Sequence, residues 1–179
     1  MKIISDKQKA LNELKRISAR TTSDNNNKIH KVVETILNEV KNHGDIAVEN
    51  YTKKFDGYNP DPMQISSQDL KDAWNKTSST LKNSLEIAHE RIKKFHEKEI
   101  PKSFTLKGKH GDFVQRRWRP VKNAGIYIPG GRASYPSTVL MNAIPAKVAG
   151  VEEIIMVSPG NKEGQINKTV LAAAYLSGI

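Results

Sequence analysis

The sequence predicts an α/β protein: a mainly helical region over residues 1–100, then the start of a parallel-stranded α/β domain over residues 101–179. Three observations carry that prediction. Apolar residues recur at helical spacing through the first hundred positions. At Pro101 this spacing gives way to short strand-like runs. Residues 125–157 then set out a strand, a glycine turn, an apolar helix and a second strand, in the order and length of one βαβ unit.

In the helical region, Ala10, Leu11, Leu14 and Ile17 form a short amphipathic stripe. Ile29, Val32, Val33, Ile36, Leu37 and Val40 form a longer one, closed by Gly44. Ser23 or Asp24 is its expected cap, with the asparagines at 25–27 in its first turn or in a preceding loop. A third helix carries Ile46, Ala47, Tyr51 and Phe55 and ends at Gly57. Residues 58–62 are turn chemistry, and Met63-Gln64-Ile65 reads as a brief strand. Ser67 is the expected cap of a short helix through Trp74. A longer helix over residues 79–99, on Leu81, Leu85, Ala88, Ile92 and Phe95, stops before Pro101.

Beyond Pro101, residues 104–106 and 113–118 read as two strands joined by a turn at 107–111. The next strand ends at Ile128 and meets Pro129-Gly130-Gly131. A helix starts near residues 134–137, lined by Val139, Leu140, Ala143, Ile144, Val148 and Ala149 and closed by Gly150. Pro145 removes one helical N–H and predicts a kink. Ile154-Ile155-Met156-Val157 is an unbroken apolar run, as expected of a parallel strand covered on both faces. The unit is Rossmann-like, with a right-handed crossover. A second unit then opens: Asn167 caps a helix ended by Gly178, and Ile179 is expected to begin another strand. A sheet of two or three strands leaves an apolar edge and half-covered faces. The sequence reads as the front portion of a longer α/β enzyme, incomplete at its C-terminus.

Composition narrows the function classes. A length of 179 residues holds one ordinary domain, or one with a helical appendage. Zero cysteines exclude disulfides and thiolate metal sites. The N-terminus lacks the apolar core of a signal peptide, and no run of about 18 apolar residues spans a membrane, so the chain reads as cytoplasmic. The net charge is +10, but seven of the ten excess charges lie between Lys102 and Arg132, where eight Lys and Arg face Asp112 alone. That is a local basic patch. It lacks the signatures of nucleic-acid modules and, beyond Trp118, their stacking aromatics, so no nucleic-acid partner is expected.

The strand–turn–helix at residues 125–137 is where backbone amides can approach a phosphate or carboxylate. Tyr127 either contacts the adenosine part of a dinucleotide or packs on the sheet with its hydroxyl in solvent. Gly130 and Gly131 serve a turn needing positive φ, with or without a ligand against their amides. Arg132, with Arg116, Arg117 and Arg119, can neutralise a pyrophosphate or simply form a solvated face. Strand alternation puts Arg117 and Arg119 on one face and Arg116 and Trp118 on the other, so the four cannot converge on one phosphate. Ser134 and Ser137 fall in the helix-entry turn, where capping is the default role and anion binding the alternative. The five histidines (His30, His43, His89, His96, His110) are scattered, with no metal-ligand spacing and only helix-surface neighbours such as His96 and Glu97. No catalytic residue and no metal ligand is assigned.

Taken together, Arg117-Trp118-Arg119-Pro120, the run from Gly125 through Ala133 and the run from Tyr135 through Gly150 resemble the N-terminal part of the histidinol dehydrogenases. A second echo is His43-Gly44-Asp45 followed by residues 51–57, and the resemblance covers essentially the whole chain. It implies a fold similar to that of aldehyde dehydrogenases, and NAD-dependent oxidation of L-histidinol to L-histidine through the aldehyde. It further implies a homodimer with zinc in each active site. The zinc ligands and the Glu-His acid–base pair of that family lie in its later part and have no counterpart here, so catalysis by this chain alone is not expected. Of the family's cofactor contacts, the resemblance transfers one, Tyr127, to NAD. The competing expectation is a non-catalytic short relative, an interaction module that docks on a full-length subunit or binds an anionic ligand.

Overall fold

The computed structural model describes residues 3–18, 24–130 and 134–179. The chain divides into two compact units, Met1–Phe55 and Asp56–Ile179. The first contains α1 (Lys7–Ser18), α2 (Asp24–His43) and α3 (Asp45–Phe55). The Asp6 carboxylate accepts the Lys9 amide at 2.7 Å, which satisfies one free donor at the start of α1. Ser23 lies outside the described residues; α2 begins at Asp24 with the asparagine run in its first turn. Gly44, at φ +56°, lets α2 stop and α3 start within one residue. α3 packs back on α2 and buries Ala47.

In the second unit, α4 (Ser67–Asn75) and α5 (Ser79–Glu97) are followed by strands β1 (Phe104–Lys107), β2 (Phe113–Arg116) and β3 (Asn123–Tyr127). Helix α6 (Pro136–Ala149), strand β4 (Glu153–Val157) and helix α7 (Lys168–Leu176) complete it. The cap of α4 is Ser66, one residue earlier than expected. Its hydroxyl accepts the Asp69 amide at 3.1 Å while the Asp69 carboxylate accepts the Ser66 amide at 3.2 Å. Among the described residues, no strand forms at Met63-Gln64-Ile65. Pro60 and Pro62 lack the N–H groups a ladder needs, and no strand lies alongside.

β1 and β2 form an antiparallel hairpin, Phe104 opposite Arg116 and Lys107 opposite Phe113, exposed along its whole length. β2 stops two residues short of Trp118 because the Trp118 amide donates instead to the Ser103 hydroxyl at 2.9 Å. β3 and β4 pair in parallel, from Asn123 opposite Glu153 to Tyr127 opposite Val157. Between them α6 supplies the centre of the core: Val139, Leu140, Ala143 and Ile144 are buried, together with Ile126, Ile128 and Ile154 of the sheet. α5 and α7 pack on α6, and α4 packs on α7. The change of element type at Pro101 thus falls inside one packed unit.

Three further expectations differ from the structure. Neither Ser134 nor Ser137 caps α6: the cap position is Tyr135, without a side-chain bond, because Pro136 opens the helix at its first position and Ser137 is already helical. As expected, Gly150 closes α6, at a left-handed φ of +91°, with Pro145 inside the helix. Ile179 begins no strand, since its amide bonds back to the Ala174 carbonyl at 3.1 Å. Finally, β4 is covered on one face. Ile154 is buried, while Ile155 and Val157 are 54% and 57% exposed and share the open face with Gly125 and Tyr127.

Candidate functional site

A parallel sheet offers ligands the crevice beyond the carboxyl ends of its strands. Here that position is a cleft of about 340 Å³ between the exits of β3 and β4. Pro129, Gly130 and Ser134 line one side; Ser158, Pro159, Asn161, Gln165 and the start of α7 line the other. The ladder extends one bond past β3, with the Ile128 amide donating to the Val157 carbonyl at 2.9 Å. The two exits then touch. A Cβ on Gly130 would lie 2.4 Å from the Pro159 carbonyl oxygen and 2.9 Å from its Cγ. The expected reason for glycine here was positive φ, and that is incorrect: Gly130 is not among the positive-φ glycines, and close backbone approach demands it instead. Gly131 and Arg132 lie outside the described residues.

The loop from β4 to α7 is held by its own hydrogen bonds. The Asn161 side-chain oxygen accepts the Glu163 and Gln165 amides at 3.1 and 2.8 Å, and the Asn161 amide donates to the Gln165 carbonyl at 2.9 Å. Asn167 caps α7 as expected, accepting the Thr169 amide at 2.9 Å. Lys168, the first residue of α7, lines the cleft, and no Asp or Glu lines it among the described residues. A cation beside the positive end of a helix, in a wall of hydroxyls and amides without carboxylates, suits a phosphate-bearing ligand.

Tyr127 does not line the cleft. It sits two residues before Pro129, 64% exposed, on the open face of the sheet opposite Val157. The strand arginines stand elsewhere. The Arg116 guanidinium lies 5.4 Å over the Trp118 ring, and Arg117 donates to the Gln115 side chain at 2.8 Å. Arg119 and Trp118 border a separate apolar groove of about 360 Å³ against α6. Three histidines pair with local carboxylates: His43 with Glu39 at 3.6 Å, His89 with Glu90 at 3.8 Å, and His96 with Glu99 at 2.5 Å rather than with Glu97. Among the described residues no group of three or more His, Asp or Glu is placed to hold a metal ion.

Sequence reasoning missed the second wall of the cleft. A signal for it exists, since Pro159-Gly160 follows β4 as Pro129-Gly130 follows β3, a Pro-Gly exit repeated at both strand ends.

The family model described as histidinol dehydrogenase matches residues 19–179. The chain belongs to the histidinol dehydrogenase family. It is 79% identical along its whole length to the histidinol dehydrogenase of Prochlorococcus marinus strain MIT 9312, of which it covers 41%. It is 74% identical to that of Prochlorococcus marinus subsp. pastoris strain CCMP1986, covering 42%. Among solved structures, the crystal structure of histidinol dehydrogenase from Elizabethkingia anophelis matches with a TM-score of 0.78 and 37% identity, over 84% of this chain and 35% of that one. The chain thus spans about two-fifths of the length of the curated histidinol dehydrogenases it matches.

Proposed function

We propose that this chain is the dinucleotide-side portion of a histidinol dehydrogenase, which oxidises L-histidinol to L-histidine with NAD. The observation that carries the reading is the carboxylate-free, Lys168-bearing cleft at the parallel strand ends of a chain 79% identical to a histidinol dehydrogenase. NAD, when bound, supplies the hydride acceptor. This chain's residues bind and orient it: Lys168 and the first turn of α7 face its phosphates, and Ser134 and Ser158 offer hydroxyls from the two strand exits. Tyr127, exposed beside the exit of β3, offers a ring face to the adenosine part. Residues 101–179 form the beginning of the NAD-side domain in this reading. The donor set does not fit zinc, since no cluster of ligands occurs among the described residues, and no step is assigned to that metal here. A cytoplasmic homodimer is the working assembly, without nucleic-acid or membrane partners; no helix among the described residues is long and apolar enough to cross a membrane.

The test is histidinol-dependent NAD reduction by the purified chain with zinc, with and without a fragment supplying the later part of a full-length relative. Activity only with the fragment supports the reading. Activity of the chain alone places the chemistry within these residues and refutes the division of labour; no activity in either mixture counts against the enzymatic reading.

A second reading has its own observation, the open sheet face of Tyr127, Ile155 and Val157. An interaction module would use that face to dock on a full-length subunit. Size-exclusion chromatography with a full-length relative decides: a monomer that ignores the relative removes this reading.

A further inference from the structure

The cleft's second wall is gripped from outside by a residue far away in the chain. Gly57, at φ +80°, turns the backbone ahead of Tyr58. The Tyr58 hydroxyl accepts the Gly160 amide at 3.1 Å, across 102 positions of sequence. Its ring also fixes the far side of the same loop. A Cβ on Gly164 would lie 2.9 Å from the ring's Cδ2 and 3.2 Å from its Cε2, and Gly164 itself has a φ of +75°. Gly160 and Gly164 are pressed together as well: a Cβ on Gly160 would meet the Gly164 carbonyl carbon at 2.7 Å. The half-buried phenol therefore holds both ends of the five-residue turn from Gly160 to Gly164, whose Asn161 lines the cleft together with the preceding Pro159.

The hydrogen bonds centred on Asn161 fix the shape of this turn, but they lie within it and do not locate it against the strand ends. Two contacts do that: Pro159 against Gly130 on the cleft side, and Tyr58 behind. We propose that Tyr58 is a positioning residue for the dinucleotide site. It sets the pose of the 159–165 turn, and with it the spacing between the two walls that receive the phosphates. This assignment rests on the reading of the cleft as the NAD site.

Tyr58→Phe in the whole 179-residue chain tests it, since the ring stays and only the hydroxyl leaves. Titration with NAD is expected to show affinity about three- to tenfold weaker, the range set by loss of one net hydrogen bond. Amide exchange in residues 160–165 should accelerate by about the same factor, while the melting midpoint stays within about 3 °C. Equal NAD affinity in the two proteins overturns the assignment. So does a fall in melting midpoint with unchanged affinity of the folded protein, the mark of a structural role alone. If the unsubstituted chain binds no NAD, the cleft reading fails and this assignment falls with it, a result distinct from equal binding by both. Tyr58→Ala, which also frees Gly164, is expected to weaken binding further than Tyr58→Phe; the reverse order would contradict the clasp.

Discussion

Gly130 carries a constraint set by the opposite strand exit. Because the nearest atom to an added Cβ is the backbone oxygen of Pro159, no rotamer change can relieve it. Gly130→Ala is expected to cost about 1–3 kcal/mol of stability in urea unfolding, the usual range for forced overpacking, and to weaken NAD binding by displacing the cleft wall. Lys168→Ala leaves the cap of α7 intact and removes the cleft's cation, so NAD affinity should fall about fivefold and become less sensitive to salt in isothermal titration. At this scale the sequence was readable where chemistry is local. Asn167 is a cap because of the residues that follow it. Tyr58 was unreadable, since its partner stands 102 positions away and only the packed fold brings the two together. Ser134 and Ser137 misled because Pro136 takes over the entry to α6 that a serine cap would otherwise make.

At nine residues, the same length as α4, α7 depends strongly on its first turn. Asn167→Ala should cost about 1 kcal/mol in thermal unfolding, the typical loss for an N-cap, and loosen the α7 side of the cleft. α4 carries a pH signature. Its Ser66 hydroxyl and backbone amide hold the Asp69 carboxyl below its ordinary pKa. A carboxylate with a lowered folded-state pKa stabilises the fold above its unfolded pKa, and this contribution disappears as pH falls through the folded value. Acid titration followed by amide exchange at Asp69 should therefore show fraying of α4 as pH falls below the ordinary carboxylate range, and Ser66→Ala, which removes the hydroxyl but keeps the backbone amide, should weaken the pH dependence of that fraying. The βαβ order was legible because an apolar run, a glycine turn and an apolar helix each leave a local pattern. Which face of β4 is covered was not. Four consecutive apolar residues look alike whether one face or both are covered, and only the coordinates distinguish Ile154 from Ile155.

The second unit is organised around α6, which α5 and α7 flank. Leu140 and Ile144 are essentially inaccessible there, so either one changed to Ala is expected to cost about 2–5 kcal/mol in calorimetry of the chain. An α/β class with helices ahead of a parallel pair was evident from periodicity alone. The packing of α4 and α5 with α6 and α7 was not evident, because the amphipathic stripes of these helices record that they need a partner without recording which one. The touching strand exits also bear on how such a molecule can change over generations. With Gly130 against Pro159, the two loops cannot be edited separately. A bulkier residue in one forces a backbone shift in the other, and an insertion in either alone pulls the pair apart. Lineages that alter this junction are expected to alter both halves together, which makes it one unit of inheritance assembled from two segments of chain.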